Sequence, residues 1–426
     1  QAGAMPPIAL SELDTERRRA LFDRDAGVSE VRAQVEDIVA AVRAEGDDAL
    51  RDFAREFDDT EIDAIDVTDR AAAARDAVPD DVLAAIETAA ENIRTFHEAQ
   101  LPEDWRADFD GRELGRRFRP LDRVGAYVPG GTAAYPSSAL MTVVPATVAG
   151  VDEVAVVTPP AEDPNPATLA ALDVAGADEI YAAGGAQGVA ALAYGTASVD
   201  PVQKIVGPGN RWVTAAKAAV RGDVDIDFLA GPSEVLVVAD ETADPSLVAA
   251  DLMAQAEHDP NASVVAVTTD RDTADAVCDE LESRVEDRTR ADVIREALAG
   301  DASGVFVAMD AAEAVSFADR YAAEHLSVQA ENDEALLDRI SNAGSVFLGP
   351  NTPVAAGDYA TGTNHVLPTS GRASVTGGVS VDTFLRAQTV QRLDRSALAD
   401  LRETVTTLAD AEGLEAHARS VDARFD

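Results

Sequence analysis

A chain of 426 residues is long enough for two or three domains of roughly 100–200 residues each. Its single cysteine excludes an intrachain disulfide and favours a reducing compartment, so we expect a cytoplasmic protein. A formal net charge of −43 argues against nucleic acid and acidic membranes as partners, and neither a signal pattern nor the roughly 20 apolar residues of a membrane span is found.

Helical patterns dominate the first hundred residues. The spacing of apolar residues predicts helices over 29–45, 47–57 and 80–100, with few strand signals between them. His97 lies on the last of these helices, between Phe96 and Glu98, and we predict a structural role for it.

From about residue 120 onward, strand patterns alternate with helical patterns. Strands are predicted at 124–128, 154–158, 179–183, 204–206, 234–238, 263–267, 304–308 and 345–348. Helices are predicted at 138–148, 167–174, 186–193, 211–220, 247–257, 273–285, 311–325 and 333–342. This order requires largely parallel sheets covered by helices, and two such units are favoured over one. The charged stretch 385–425 is predicted to be helical and to pack on another subunit or wrap the main body.

Three glycine-rich segments lie at predicted strand-to-helix junctions: Gly130-Gly131, Gly184-Gly185-Ala186-Gln187-Gly188 and Gly207-Pro208-Gly209-Asn210. At such junctions glycine lets the backbone approach a phosphate, and the helix N-terminus favours the negative charge. None is a complete GxGxxG fingerprint, and each alone is as often a tight turn. Together they favour a dinucleotide site.

Histidine is scarce, and four of the five histidines fall in polar segments of the second half, at His258, His325, His365 and His417. Each has an amide or carboxylate residue close by, which a metal ligand or a general base needs for orientation. An isolated histidine is more often an ordinary surface or core residue, but four together weaken that explanation. Gln255 and His258 share one face near the end of the helix predicted after Pro245, where a metal ion could bridge them.

These segments together carry a family resemblance. The chain closely resembles the histidinol dehydrogenase family from about Arg17 to the C-terminus, through the motifs Val124-Gly125-Ala126-Tyr127-Val128-Pro129-Gly130-Gly131, Gly184-Gly185-Ala186-Gln187, Val206-Gly207-Pro208-Gly209-Asn210, Ala230-Gly231-Pro232-Ser233-Glu234, Gln255-Ala256-Glu257-His258-Asp259, Glu324-His325-Leu326 and Gly362-Thr363-Asn364-His365-Val366-Leu367-Pro368. The segments Phe96-His97 and Glu412-Gly413-Leu414 also match.

The resemblance implies a metal-dependent enzyme that oxidises L-histidinol to L-histidine in two NAD-dependent steps, the last step of histidine biosynthesis. It implies a homodimer with shared active sites, in which the partner chain supplies the C-terminal histidine. The implied metal ligands are Gln255, His258, Asp358 and His417, and the implied catalytic pair is Glu324 and His325. The implied substrate contacts are Ser233, Gln255, His258, His325, Asp358, Glu412 and His417, and the implied NAD contacts are Tyr127, Gln187 and Asn210.

The chemistry of these residues agrees with the implied roles. Two imidazoles, a carboxylate and an amide oxygen suit Zn²⁺, and also Mn²⁺ or Co²⁺. His325 is suited to take the alcohol proton, and Glu324 could activate water for the second oxidation. Cys278 lies in an ordinary predicted helix, so a covalent thiol route is not expected. Side chains of adjacent helical residues point about 100° apart, so Glu324 and His325 can face one pocket only if the helix ends near residues 326–328.

The expected fold is α/β, with two Rossmann-like parallel-sheet domains and helical extensions at both ends of a homodimeric chain. The expected division is an N-terminal helical arm (1–25), a discontinuous domain that carries the metal and catalytic residues (26–123 and 236–375), a glycine-rich domain on the NAD side (124–235) and a C-terminal helical dimerisation tail (376–426).

Other functions remain open. A related metal-dependent dehydrogenase could act on another small amino or sulfonated alcohol, and a metal hydrolase could use the same histidines and carboxylates to activate water. A metal-binding protein without catalysis is disfavoured by the Glu324-His325 pair. For His365, in the loop 355–373, a substrate-side role and a loop-stabilising role are equally open.

The basic residues are almost all arginine, with lysine only at positions 204 and 217, and acidic residues are spread along the whole chain. Such a surface repels itself in dilute buffer, whereas at molar salt the Debye length falls to about 3 Å and screens the repulsion. We predict a protein of a halophilic cytoplasm that loses its fold and activity on dialysis from molar to millimolar salt. Circular dichroism and activity unchanged by dialysis would contradict this prediction.

Overall fold

The computed structural model of the chain describes residues 6–24, 27–130 and 134–425. Residues 1–5 and 25 of the expected N-terminal arm, and Gly131 of the first glycine pair, lie outside these ranges. Helices and strands are organised around two parallel sheets and one smaller antiparallel sheet. No helix in the described ranges is long and apolar enough to span a membrane.

The strands are β1 (Ile8–Ala9), β2 (Trp105–Phe109), β3 (Arg112–Pro120), β4 (Arg123–Tyr127), β5 (Glu153–Thr158), β6 (Glu179–Ala182), β7 (Lys204–Val206), β8 (Asp225–Ile226), β9 (Glu234–Ala239), β10 (Ser263–Thr268), β11 (Gly304–Val307), β12 (Ala323–Gln329), β13 (Ala343–Leu348) and β14 (Leu385–Leu393). The helices are α1 (Thr15–Phe22), α2 (Val28–Glu45), α3 (Asp47–Phe57), α4 (Thr68–Ala77), α5 (Asp80–Glu98), α6 (Pro136–Ala149), α7 (Pro166–Ala175), α8 (Gly185–Tyr194), α9 (Arg211–Val220), α10 (Pro245–Ala256), α11 (Arg271–Val285), α12 (Ala291–Ala299), α13 (Ala311–Tyr321), α14 (Asp333–Leu337), α15 (Val354–Tyr359), α16 (Arg395–Ala411) and α17 (Glu415–Asp422).

The larger parallel sheet has six strands in the order β1-β11-β10-β9-β12-β13. Its central strands β9, β10 and β12 are buried along their whole length, because helices cover both faces. Two separate apolar clusters form those faces. The N-terminal arm is therefore not purely helical, since β1 pairs with β11 at the edge of this sheet.

The second parallel sheet has five strands in the order β6-β5-β4-β7-β8. The chain runs from β4 outward through β5 to β6 and then returns to place β7 on the other side of β4. This reversal leaves a crevice beyond the carboxyl ends of β4 and β7, which is where ligands bind in open α/β sheets.

The helices of the first hundred residues cover this five-stranded sheet. Helix α2 packs on α8 and α9, α4 packs on α7, and α5 packs on α6. The expected division grouped residues 26–123 with 236–375, and these contacts do not support it. An amphipathic pattern shows which face of a helix is apolar, but it does not show which of two sheets will cover that face.

The predicted strands from residue 124 onward are all present within two residues of their predicted bounds. The predicted helix 311–325 was wrong at its end. Helix α13 stops at Tyr321, Ala322 takes a left-handed φ of 48°, and β12 begins at Ala323. Glu324 and His325 therefore lie at the start of a strand between β9 and β13, and not at the end of a helix.

The predicted helix over 385–425 was also wrong in its first part. Residues Leu385–Leu393 form β14, which pairs with all of β3 in an antiparallel sheet of order β14-β3-β2. Most of this strand is exposed, so its charged residues look like a solvated helix in the sequence. The pairing partner lies more than 250 residues away, and no local pattern shows it. Helices α16 and α17 then form a hairpin at the C-terminus.

Candidate active site

A cleft of about 1290 Å³ lies between the two parallel sheets. One wall consists of the segments that follow the carboxyl ends of β4 and β7, at Pro129-Gly130 and Pro208-Gly209-Asn210. The other wall contains Ser233 just before β9, the start of β12 and the region after α10. The carboxyl ends of strands in the five-stranded sheet thus face the amino ends of strands in the six-stranded sheet.

Glu324 and His325 are buried at the start of β12 and both line the cleft. The Glu324 Oε2 atom accepts a hydrogen bond of 2.8 Å from the backbone N–H of Glu234. The Nδ1 atom of His325 lies 3.0 Å from the backbone carbonyl oxygen of Glu234 and 3.5 Å from Oε2 of Glu324. Because a carbonyl oxygen only accepts, Nδ1 carries a proton and donates it. The neutral ring then has its free electron pair on Nε2.

The Nε2 atom of His325 has no hydrogen-bond partner in the described ranges, although Asp358 Oδ1 lies 3.4 Å away. Burial by itself would lower the pKa of His325, but the carboxylates of Glu324 and Asp358 outweigh it and raise the pKa well above its ordinary value. Burial would raise the pKa of Asp358, and His325 together with His365 and His258 lowers it. A cation held by Asp358 would offset the carboxylate and favour the neutral imidazole that a base requires.

Gln255, His258 and Asp358 all line this part of the cleft. Gln255 is the second-last residue of α10 and His258 follows the helix end, where its N–H donates to the Gln255 carbonyl oxygen. The predicted helix 247–257 is confirmed as α10, and the Asp244 side chain caps its N-terminus by accepting from the N–H of Ser246. The side-chain oxygen of Gln255 is buried without a hydrogen-bond partner in the described part of the chain. An orphaned acceptor beside an imidazole and a carboxylate fits a bound cation.

Glu412 and His417 do not reach this cleft within one chain. Glu412 is the C-cap of α16, His417 lies on α17, and both are exposed. Within the described ranges, no group of three or more His, Cys, Asp or Glu side chains is close enough to hold a metal. The implied ligand set is therefore incomplete in a single chain.

The predicted NAD contacts separate into two groups. Tyr127 and Asn210 line the cleft, whereas Gln187 is buried on α8 and does not. The Tyr127 hydroxyl accepts a hydrogen bond of 3.1 Å from the N–H of Gly185, and burial raises its pKa to about 12. Asn210 caps α9, where its Oδ1 accepts from the N–H groups of Trp212 and Val213.

A buried ion pair holds the loop in front of α9. Lys217 pairs with Asp227 and donates to the carbonyl oxygen of Gly207 at 3.1 Å. The Asp227 carboxylate accepts from the N–H of Gly207 at 2.8 Å. Gly207 has a φ of 114°, and a Cβ atom there would lie 2.2 Å from the carbonyl oxygen of Tyr127. Only glycine fits this position, which lets the loop approach the end of β4.

His365 has contacts that stabilise the loop next to Asp358. Its Nδ1 donates to the carbonyl oxygen of Asp358 at 2.9 Å, and its Nε2 lies 3.3 Å from the Ser138 hydroxyl on α6. Burial lowers the pKa of His365. His365 also lines the cleft, which keeps a substrate contact open. His97, in contrast, is buried on α5 outside the cleft and bonds to the Ile93 carbonyl oxygen.

Asp58, just beyond α3, is a site that the sequence did not indicate. One of its oxygens is buried without a hydrogen-bond partner in the described ranges, and burial raises its pKa to about 6. The ordinary pKa of an aspartate is about 3.9, so the folded chain binds the Asp58 proton more tightly than the unfolded chain. The free energy of unfolding therefore falls as the pH rises from about 4 to about 6.

We expect Asp58→Asn to raise the free energy of unfolding by roughly 1–2 kcal/mol at pH 8 and to have no effect below pH 4. Urea unfolding in molar salt measures both values, and equal effects at the two pH values would contradict this assignment.

Comparison with known proteins identifies the family. The histidinol dehydrogenase family matches residues 23–425 of the chain. The histidinol dehydrogenase of Halobacterium salinarum is 70% identical and that of Haloarcula marismortui is 66% identical, each over 98% of this chain and 99% of the relative. The crystal structure of histidinol dehydrogenase from Elizabethkingia anophelis superposes with a TM-score of 0.93 at 36% identity, over 99% of this chain and 98% of that chain. The chain therefore belongs to the histidinol dehydrogenase family.

Proposed function

We propose that the chain catalyses the four-electron oxidation of L-histidinol to L-histidine through bound L-histidinaldehyde, with NAD as the oxidant, as the last step of histidine biosynthesis in the cytoplasm. One observation carries this proposal above all. The Glu324–His325 pair lies in the same cleft as the crevice of the five-stranded sheet and as the side chains of Gln255, His258 and Asp358.

The strand order supports NAD on the side of the five-stranded sheet. A reversal between β4 and β7 is typical of Rossmann-like dinucleotide sites, and the N-termini of α6 and α9 line the cleft, where a helix N-terminus favours the negative charge of a pyrophosphate. Tyr127 and Asn210 are the proposed NAD contacts at the cleft surface. Gln187 does not line the cleft, and its side chain would instead support the Gly184-Gly185 turn, against which it packs. Bound NAD would accept the hydride in each oxidation.

The residues present fit a divalent metal, with Zn²⁺ preferred and Mn²⁺ or Co²⁺ as alternatives. Gln255, His258 and Asp358 would hold it from the cleft, and His417 of a partner chain would complete the set, with Glu412 beside it. Such an ion would orient the substrate through its imidazole and amine nitrogens. This arrangement requires the homodimer with shared active sites.

The proton transfers fall to Glu324 and His325. In the first oxidation, Nε2 of His325 takes the hydroxyl proton as the hydride leaves, while Nδ1–H stays bonded to the Glu234 carbonyl oxygen. The nearby Glu324 carboxylate stabilises the imidazolium. In the second oxidation, Glu324 removes a proton from the water that adds to the aldehyde. His325 then takes the hydroxyl proton of the resulting hydrate as the second hydride leaves to NAD. The only cysteine, Cys278, lies on α11 with its pKa raised to about 12 by burial, so water and not a thiolate is the nucleophile.

The test of this function is the stoichiometry with L-histidinol. We expect two NADH per histidinol consumed, with histidine as the product, in a steady-state assay at molar salt. One NADH and released aldehyde would indicate a simple alcohol dehydrogenase. No change in NADH absorbance would favour a hydrolase, and turnover of another small amino or sulfonated alcohol in preference to histidinol would move the substrate assignment within the family.

Metal removal is expected to abolish activity. Gln255 is a neutral and weak ligand, so the site should release its ion to a chelator in excess. After chelation, elemental analysis should find no metal and turnover should fall to background, and added Zn²⁺ or Mn²⁺ should restore it. Full turnover in a preparation without detectable metal would contradict the metal assignment.

A further inference from the structure

Glu234, the first residue of β9, makes main-chain contacts with both members of the catalytic pair. Its N–H donates to Oε2 of Glu324 at 2.8 Å, and its carbonyl oxygen accepts from Nδ1 of His325 at 3.0 Å. Its own side chain is buried and does not line the cleft. A shift of the Glu234 backbone would therefore move the imidazole of His325 and the carboxylate of Glu324 together.

The Glu234 side chain is clamped from two other parts of the chain. Its carboxylate accepts from Nε and Nη2 of Arg24 at 2.7 and 3.1 Å, and from the N–H of Ser370 at 2.6 Å. Arg24 lies between α1 and α2, and Ser370 lies in the loop that follows α15. Two segments distant in sequence therefore fix the side chain of the residue whose backbone holds the pair.

Arg24 is itself held rigidly. Its guanidinium lies 3.8 Å from the ring centroid of Tyr321, and its Nη2 also donates to the carbonyl oxygen of Tyr321 at 2.8 Å. Tyr321 ends α13, only three residues before Glu324. The arginine thus connects β9 to the segment that leads into β12, and its planar fork fixes the direction of the contact, which a lysine cannot do.

The energetics favour a role in geometry over a role in stability. The side chains of Arg24 and Glu234 are 6% and 2% exposed, and desolvating such a pair offsets much of its attraction. Well-packed apolar residues often replace a buried pair with no loss of stability. A pair buried beneath the catalytic residues therefore serves to fix their position.

We propose that Glu234, held by Arg24, is a positioning residue for the Glu324–His325 pair. The proposal rests on the function given above, in which His325 is the base. Glu234→Gln keeps the side-chain volume and an acceptor for the N–H of Ser370, but it loses the carboxylate that accepts from two nitrogens of Arg24. Arg24→Lys keeps the positive charge but loses the planar guanidinium that donates both of these hydrogen bonds. Both variants should lower kcat by about 10–100-fold, as loss of a supporting contact does, with the KM for histidinol within about threefold of wild type.

The double variant Arg24→Lys/Glu234→Gln tests whether the two residues act as one unit. Its kcat should be no lower than that of the worse single variant, because one contact is removed in each case. Glu179→Gln is the matched control. It removes the carboxylate that pairs with the half-buried Arg123 on the five-stranded sheet, away from the cleft, and should leave kcat within about twofold of wild type.

A second readout does not depend on turnover. With five histidines in the chain, ¹⁵N-histidine labelling resolves the ring signals by NMR in the full-length enzyme. The Nδ1–H signal of His325 should shift or broaden in Glu234→Gln and Arg24→Lys, while that of His97 stays unchanged. A folded Glu234→Gln or Arg24→Lys with wild-type kcat and an unchanged His325 signal would overturn the proposal, as would an equal loss of kcat in Glu179→Gln. Wild-type enzyme that makes no NADH from histidinol would instead sink the proposed function and leave the NMR test standing.

Discussion

His325→Asn is expected to slow both oxidations by about 10²–10⁴-fold, because the imidazole takes a proton in each step. Glu324→Gln is expected to slow the oxidation of histidinaldehyde more than that of histidinol, because its carboxylate acts on the water that only the second step uses. The geometry supports the division, since Nε2 of His325 is the unpaired nitrogen while Oε2 of Glu324 is already bonded to the Glu234 N–H. The remaining acceptor capacity of Glu324 is what a water can use.

Separate assays with histidinol and with histidinaldehyde measure the two steps. Glu331→Gln, an exposed residue two positions after the end of β12 and outside the cleft, is the control and should leave both rates unchanged. An equal loss of both activities in Glu324→Gln would refute the division of labour, and a fully active His325→Asn would remove His325 from the role of base.

Two inactive variants are expected to restore each other when they share a dimer. His258→Asn removes a proposed ligand from the cleft, and His417→Asn removes one that no single chain brings there. A mixed dimer would contain one intact site, so random association should recover about a quarter of the wild-type activity. Recovery requires that the C-terminal helices α16 and α17 of one chain reach the cleft of the other.

The experiment requires co-expression of the two variants or refolding of their mixture, followed by a histidinol assay. A mixture of His258→Asn and Asp358→Asn is the control, because both ligands come from the same cleft and no mixed dimer would have an intact site. No recovery in the first mixture, despite mixed dimers detected by mass spectrometry, would mean that the active site is not shared.

Much of the architecture follows from the sequence, because buried parallel strands are short apolar runs between glycine-rich turns. Strands β4–β7, β9–β11 and β13 were predicted for that reason, whereas the two-residue β8 was not. Strand β12 was missed because the pattern of α13 continues without a glycine or proline, and the break falls on Ala322 in a left-handed conformation. Strand β14 was missed because its partner β3 is distant in the sequence and the strand is mostly exposed.

The candidate site was predicted through its motifs, and Gln255, His258, Asp358 and the Glu324–His325 pair line one cleft, while their roles stay predictions. No motif or spacing pattern in the sequence indicated Arg24 or Asp58. Arg24 lies 210 positions from its partner Glu234, and Asp58 is distinguished only by burial. Burial and long-range pairing arise from tertiary packing, so residues that act through them carry no local signature.

The Lys217–Asp227 ion pair beneath the Gly207 loop holds one of the two lysines of the chain. Lys204 pairs with Asp225 and donates to the carbonyl oxygen of Thr383, so both lysines of the chain are tied into the fold, with side chains 17% and 3% exposed. Amine-reactive dyes should therefore react slowly with both lysines in the native protein. A protease that cleaves only after lysine should not reach the peptide bonds after Lys204 and Lys217 in the native protein. Its rate of cleavage would therefore measure how often the region around the five-stranded sheet unfolds locally.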